Sequence, residues 1–362
     1  MITEPRLTIS GLRSRGVNVE LERPIQTSGG EIPTAPLVLI DLETEEGLTG
    51  RSYVFSYISL ALEPLRRLTE NLGTTLKGAA VAPLEIDRKL QTMFRLLGPQ
   101  GLTGIAASGI DMAAWDALAK ANELPLVEFL GGTKKRIPAY GSLRTMYRDS
   151  VVEEVRALAG MGFDAYKVKI GHGDIKTDLR IINALRDVIG EAELAVDYNQ
   201  SLSVTGALER VRALDEEGLY WIEEPTRADD FAGHARITSE ARTPICIGEN
   251  WWGPHDVHKS IEQVACDYGM PDAMKIGGVT GWMRAAALAE PTSLPLNSHI
   301  FPEISAHLLA ASPTVHRLEY LDTAGAVLKN PIRIEDGRAI VPEGPGIGLE
   351  WDEEAVERYL VR

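Results

Sequence analysis

Two rhythms of apolar residues divide this chain, with the change near residue 137. Before it, Leu37–Leu42 forms a β-type run, Glu45-Glu46-Gly47 a turn and Leu48–Phe55 a returning strand. Helical spacing follows over Ala61–Leu72, Glu85–Leu96 and Ile105–Lys120, the last with Ile110, Ala114, Ala117 and Leu118 on one face. Strands followed by helices predict an α+β domain over residues 1–130. Further on, short β-type runs alternate with amphipathic helices. The runs are Ile137–Ser142, Ala165–Ile170, Leu194–Tyr198, Tyr220–Glu223, Ile245–Gly248, Ala273–Ile276, Leu296–His299 and Arg317–Leu321. Val151–Ala159, Leu179–Ile189, Ala207–Glu217 and Ile261–Cys266 read as helices between them. Eight βα units of roughly 20 to 30 residues close into a barrel, here over residues 131–325. A doubly wound open sheet would also alternate, but no G-x-G-x-x-G turn follows any strand. In the tail, residues 326–362, Ile332–Ile334, Glu335-Asp336-Gly337 and Ala339–Val341 predict a hairpin that leaves the barrel and packs back on the first domain. The fold class is α/β: a TIM-type barrel with an α+β domain to which the tail of the chain returns.

Composition removes several alternatives. The chain has 362 residues, 44% hydrophobic and 25% charged, as expected of a globular protein large enough for two domains. Its formal net charge of −15 argues against nucleic acid and anionic membrane partners, because no basic stripe is available to neutralise phosphates. Cys246 and Cys266 make no disulfide framework, and Cys246 lies in the apolar run Pro244-Ile-Cys-Ile-Gly248, so a reducing, cytoplasmic setting is expected. The opening Met1-Ile-Thr-Glu-Pro-Arg6 lacks the basic flank and apolar core of a secretory leader, and no apolar stretch approaches a membrane span.

The chemistry lies in what ends each strand. Lys167 and Lys169 end the second, Asp197 and Asn199 the third, Glu223 and Glu224 the fourth, and Glu249 and Asn250 the fifth. Asp272 and Lys275 mark the sixth, His299 the seventh and Glu319 the eighth. Parallel barrel strands bring their C-terminal ends to one mouth, so these residues are expected to meet. A single carboxylate at a strand end is most simply a surface residue. Three at successive ends repel one another unless a cation sits between them, and hard oxygen donors suit Mg²⁺, with Mn²⁺ as an alternative. Lys167 and Lys169 are two apart and share a face, where two ammonium groups lower each other's pKa and make one a candidate base. Asp272 behind His299 would fix the imidazole tautomer. Glu319 faces the same ring, able to hydrogen-bond a substrate oxygen. His255, His258, His307 and His316 fall in helices or connections and read as packing residues.

With those residues placed, the sequence resembles the enolase superfamily, in its mandelate racemase subgroup, over nearly its full length, which implies a modified TIM barrel, (β/α)7β-like, with an α+β capping domain formed by the N-terminal segment and the C-terminal tail. The resemblance is carried by Thr34-Ala-Pro-Leu-Val-Leu-Ile-Asp-Leu42, Gly109-Ile-Asp-Met-Ala-Ala-Trp-Asp-Ala-Leu118, Val196-Asp-Tyr-Asn-Gln-Ser201, Trp221-Ile-Glu-Glu-Pro-Thr226, Gly248-Glu-Asn-Trp251, Met270–Trp282 and Glu303–Ala311. A Lys or His base beside Mg²⁺ is a known property of that superfamily, not a deduction from spacing. The resemblance implies that Asp197, Glu223 and Glu249 bind Mg²⁺. It implies Lys169 as the base on one face of a 2-hydroxy carboxylate and His299, paired with Asp272, as the base on the other. Lys167 would neutralise the substrate carboxylate, Glu319 would donate a hydrogen bond to it, and Asn199 would contact the 2-hydroxyl or carboxylate edge. The expected reaction is a racemisation by two-base proton transfer through a metal-stabilised enediolate. A dehydratase of the same superfamily is the alternative, and an inactive binding barrel a more distant one. The mobile loop of the family falls on Asn18–Pro36. Ile25, Ile32, Phe55, Tyr57, Ile300 and Leu321 are expected to line the substrate pocket, with Ser142 on the first strand. The expected partner is a small carboxylate substrate, and the family's habit implies a homo-oligomer. Leu143 stands where the subgroup's racemase has a histidine and Pro302 where it has a glutamine. Arg144 and Arg148 follow Leu143 and add positive charge near the mouth, and the loop Gly171-His-Gly-Asp174 also departs from the pattern.

Overall fold

The computed structural model of the chain describes residues 7–133 and 136–361; the opening hexapeptide lies outside the described residues. Strands β1 (Ile9–Thr27), β2 (Gly30–Thr44) and β3 (Thr49–Phe55) form an antiparallel sheet, followed by helices α1 (Ser59–Leu76), α2 (Pro83–Met93), α3 (Leu102–Ala121) and the short α4 (Leu126–Phe129). The expected β2, β3 and three helices are all present. Helix α3 lies against β3 closely enough that a Cβ on Gly50 would sit 2.0 Å from the Ala113 carbonyl oxygen, so only glycine fits there.

The segment expected to be a loop, Asn18–Pro36, is instead a paired hairpin running through a two-residue turn at Ser28-Gly29. Its pairing slips between Glu20 and Ile25, a stretch that contains Pro24, which has no amide proton to give the ladder. The tip is fastened to the second domain: Gln26 N donates to the Arg144 carbonyl at 2.6 Å, and Ser28 Oγ to the Tyr198 carbonyl at 3.1 Å.

The second domain follows as β4 (Arg136–Ser142), α5 (Arg148–Leu158), β5 (Ala165–Lys169), α6 (Ile175–Ile189), β6 (Glu193–Asp197), α7 (Val204–Leu214), β7 (Ile222–Glu223), α8 (Phe231–Glu240), β8 (Ile245–Ile247), α9 (Pro254–Gln263), β9 (Tyr268–Gly269), α10 (Gly278–Ala289), α11 (Pro302–Ala311) and β10 (Leu318–Tyr320). β4 to β9 pair in parallel in sequence order, and β10 pairs in parallel with β4, closing the barrel. Two staves differ from the expected runs. The sixth strand is Tyr268–Gly269, and the expected strand Ala273–Ile276 is a turn leading into α10. The seventh stave, at residues 296–299, is held by single bridges at Leu296 and His299.

Period-two alternation sorts the barrel strands into two faces. Tyr140, Ala165, Ala195, Trp221, Cys246 and Met270 form a separate small core, the floor of the barrel, while Val168, Leu194, Val196 and Ile222 join the main core. Both cysteines are free, and Cys246 is a buried floor residue as expected. His307 and His316 are likewise structural: His307 bridges Val127 N and the Ile347 carbonyl, and His316 pairs with Tyr220 and Asn297.

The predicted tail hairpin exists as β11 (Arg333–Glu335) and β12 (Arg338–Ile340), but it stays on the barrel, where β12 pairs antiparallel with β4. Only the chain after it reaches the first domain. Trp351 Nε1 donates to Asp41 at 2.7 Å, helix α12 (Glu353–Tyr359) brings Glu353 to Arg15, and Val361 N donates to the Gly16 carbonyl at 2.9 Å. No helix among the described residues is long and apolar enough to cross a membrane.

The cap is bolted to the barrel through buried acids. Tyr53 Oη donates to Glu303 at 2.7 Å, and Thr280 N and Oγ1 both donate to Asp111. Burial, reinforced by Asp322, pushes the Glu303 carboxyl up to about 7. The folded chain therefore holds a proton on Glu303 between about pH 4.5 and 7 that the unfolded chain releases, so stability from this group is lost as pH rises through that window. Glu303→Gln, which stays neutral, is expected to raise the melting temperature more at pH 8 than at pH 5.5. Equal shifts at the two pH values would show that Glu303 is not protonated in the fold.

Candidate active site

The floor positions the first ligand. Trp221 Nε1 donates to Glu223 Oε2 at 3.0 Å, so the indole directs the carboxylate two residues further along the chain. Asp197, Glu223 and Glu249, from the ends of three adjacent strands, bring ligand atoms within 4.8 Å of one another, all buried. Asn199 tightens the first of them: its backbone N donates to Asp197 Oδ1 at 2.7 Å and its Nδ2 to Oδ2 at 2.8 Å. That double bond needs the left-handed backbone Asn199 adopts, with φ 43°. Gln200, Glu224, Ile300 and Phe301 are also left-handed at strand ends around the mouth, and for β-branched Ile300, at φ 35°, this is a strained state that the surrounding structure imposes.

Lys167 crosses the triad. Its Nζ lies 2.7 Å from Glu223, 2.8 Å from Glu319 and 4.0 Å from Asp197. Burial alone would lower its pKa, but Glu223 and Glu319 outweigh it and hold the ammonium charged well above the usual lysine range. This corrects the expectation that paired lysines depress each other, since the carboxylates dominate at Lys167. Lys169 Nζ reaches the Leu143 carbonyl at 3.3 Å. His299 Nδ1 is 2.7 Å from Asp272 Oδ2, and Asp272 Oδ1 is itself fixed by the amides of Met274 and Lys275. Its Nε2 therefore turns to the ring, 3.2 Å from Glu249 and 3.9 Å from Glu319. Burial opposes protonation of His299, but Glu249 and Asp272 raise its pKa overall. Glu319 pays for burial yet is held well below the usual carboxylate range by Lys167 and His299, and it accepts the Ile300 amide at 2.9 Å. In this charge state Glu319 accepts hydrogen bonds where donation was expected.

The donor set suits a divalent metal. Burial raises Glu223 to about 8 and raises Asp197 as well, with their neighbouring carboxylates adding to the effect. Among the described residues, Asp197, Glu223, Glu224, Glu249, Asp272 and Glu319 are all buried against three buried lysines, Lys167, Lys169 and Lys275. All-oxygen ligands in a cluster that cannot fully ionise alone are the chemistry of a Mg²⁺ site.

A cavity of about 140 Å³ opens on this cluster. Its lining combines Lys167, Lys169, Asp197, Asn199, Glu249, His299 and Glu319 with the apolar or aromatic side chains Ile25, Ile32, Phe55, Tyr57, Ile300 and Leu321. Thus Lys169 and His299 border one space, from the second and seventh staves, with the triad's staves between them. Ser142 is not brought to this wall. It is buried in a neighbouring recess beside Arg144, Glu154 and Leu321, because α5 and β10 close over the end of β4. Thr27 and Thr323 line the cavity and were not anticipated. The signal was present, since Thr323 continues the period-two series from Glu319 and Leu321, and Thr27 follows Ile25 by the same step. A larger open groove of about 630 Å³ lies between Arg51, Lys120 and residues 329–350, away from the acidic cluster.

Two family models match this chain. Residues 10–131 fit the mandelate racemase / muconate lactonizing enzyme N-terminal domain, and residues 150–355 the enolase C-terminal domain-like family. The chain belongs to the enolase superfamily, in its mandelate racemase subgroup. Among solved structures, it is similar to an enolase from Bradyrhizobium complexed with magnesium and mandelic acid, at 44% identity and TM-score 0.95 over all of both chains. It also resembles a racemase from Streptomyces coelicolor with bound magnesium, at 30% identity and TM-score 0.91, covering 98% of this chain and 100% of that one. Among curated enzymes it is 32% identical to 3,6-anhydro-alpha-L-galactonate cycloisomerase of Streptomyces coelicolor, over 94% of this chain and 95% of the relative. It is 31% identical to L-talarate/galactarate dehydratase of Salmonella typhimurium, over 75% of this chain and 70% of that enzyme. Such superfamily members share a fold and differ in the reaction they complete, so the choice of reaction rests on the site.

Proposed function

We propose that this protein is a Mg²⁺-dependent racemase of a 2-hydroxy acid with an apolar side chain. The reading rests on one arrangement: a lysine and a carboxylate-backed histidine, from staves on either side of the acidic triad, border a single cavity that apolar side chains also line. Asp197, Glu223 and Glu249 would hold the metal. When bound, Mg²⁺ supplies a Lewis acid for the substrate's carboxylate and hydroxyl oxygens.

The side chains do the rest. Lys169 takes the α proton from one enantiomer, and His299 returns a proton to the opposite face; the roles exchange for the other enantiomer. Asp272 holds the His299 Nδ1–H, so Nε2 is the nitrogen that gives and takes the proton. Lys167, kept charged, sits where negative charge grows on the carboxylate as the α proton leaves. Glu319 lies beside it and must first gain a proton to donate to that carboxylate. The mandelic acid held by the Bradyrhizobium structure has such an apolar side chain.

A dehydratase, the reaction that the Salmonella relative's name gives, is the second reading; it would use the same ring and yield a 2-keto acid. The apolar side chains of the lining, Ile25, Ile32, Phe55, Ile300 and Leu321, favour a substrate without a row of hydroxyls. Proton NMR in deuterated water separates the two. A racemase is expected to replace the α proton of apolar 2-hydroxy acids with deuterium, in the presence of Mg²⁺ only, while optical rotation decays to zero. Appearance of a 2-keto acid would replace this reading with the dehydratase, and absence of any exchange would favour a binding protein.

A further inference from the structure

Lys275 stands in the turn after β9, 8% exposed, and takes no part in the proposed proton transfers. Among the described residues, no carboxylate pairs with its ammonium. Instead Nζ donates to Asn250 Oδ1 at 2.6 Å, while the Tyr57 ring covers it at 4.6 Å. A buried ammonium without a carboxylate partner is costly, so its single strong bond is informative.

That bond decides which way the Asn250 amide faces. An amide has one acceptor and one NH2 donor, and a lysine only donates. With Oδ1 turned to Lys275, Nδ2 must face the other side, where it donates to both oxygens of Glu224 at 2.9 Å and to Glu249 Oε1 at 3.2 Å. A flipped amide would set NH2 against ammonium and point its oxygen at two carboxylates. The chain of contacts therefore runs from Lys275 through Asn250 to one member of the triad.

We infer that Lys275 is a positioning residue for the divalent cation, acting through Asn250 to orient Glu249 and the neighbouring Glu224. The inference rests on the reading that the triad binds Mg²⁺. Charge and orientation predict opposite signs, which makes it testable. Removing a positive charge near an acidic site strengthens cation binding if Coulomb attraction alone matters. Losing the outer hydrogen bonds that hold a ligand weakens it, typically by about 10- to 100-fold.

The experiment is calorimetric titration of the purified chain with MgCl2, with no substrate present. Lys275→Met is expected to bind Mg²⁺ at least about tenfold more weakly than wild type. Asn250→Asp is expected to do the same although it adds a carboxylate, because Asp cannot donate to Glu224 or Glu249. It tests the Asn250 link by itself, so wild-type affinity in this variant would overturn the inference even if Lys275→Met fails to fold. Wild-type affinity or tighter binding in the folded variants would overturn the Lys275 inference alone. A wild-type chain that takes up no Mg²⁺ would overturn the triad reading and this inference with it.

Discussion

Lys169→Ala is expected to stop α-proton exchange from one enantiomer of the substrate while exchange from the other persists, and His299→Asn is expected to do the reverse. Both residues border the cavity, but from different staves, so each would reach only one face of the α carbon. A positioned general base contributes on the order of 10² to 10⁴ in rate, so each loss should be at least about a hundredfold for the affected enantiomer. Racemisation needs both bases and should fall by a similar factor in either variant. Asn at 299 keeps a polar side chain beside Asp272, which limits damage to the fold. The measurement is deuterium incorporation from each pure enantiomer, followed by proton NMR. Equal loss from both enantiomers in each variant would reject the two-sided scheme, as would retention of exchange from both.

Glu223→Gln is expected to remove Mg²⁺-dependent activity altogether. Trp221 and Lys167 both donate to Glu223, and burial with the neighbouring acids raises it to about 8. A neutral amide keeps the shape and removes the charge that a divalent cation needs. Stabilisation of developing charge by a metal is worth several kcal/mol, so the fall should be on the order of 10³-fold or more. Stability should move differently. Wild type is expected to melt higher as Mg²⁺ is added, because the ion binds only the folded chain. The variant should lose most of that gain, and in chelator it is expected to melt lower than wild type, because the amide sets its NH2 against either the Trp221 Nε1–H or the buried Lys167 ammonium, both of which the carboxylate accepts. Activity of Glu223→Gln that survives in chelator would contradict the metal assignment.

Much of the ring was legible because barrel strands impose two simple rules. Side chains two apart share a face, which links Lys167 to Lys169, and parallel strands end at one mouth, which gathers Asp197, Glu223, Glu249 and Glu319. The less legible parts lack a local signal. Ala273–Ile276 is as apolar as a strand, yet it precedes Gly277 and Gly278, both at positive φ, and turns into α10. The seventh stave is too slightly paired to be distinguished by its pattern, although His299 still ends it. The hairpin over residues 18–36 is masked by Glu20, Glu22, Arg23 and Pro24, which read as a loop until the opposite strand is known. Nothing in β11 and β12 reveals that they pair with β4, because docking of a short hairpin depends on a partner remote in the chain. Ser142 shows a further limit: alternation gives the face a side chain leaves from, while α5 and β10 decide which space it enters. The charge state of Glu319 was also beyond the sequence, since it depends on the 2.8 Å approach of Lys167.

The account is tested most directly by a crystal structure with Mg²⁺ and a non-reacting 2-hydroxy acid analogue. It predicts one octahedral ion about 2.1 Å from oxygens of Asp197, Glu223 and Glu249, with Lys169 Nζ and His299 Nε2 on opposite faces of the ligand's α carbon. An ion bound elsewhere, or both bases on one face, would contradict it.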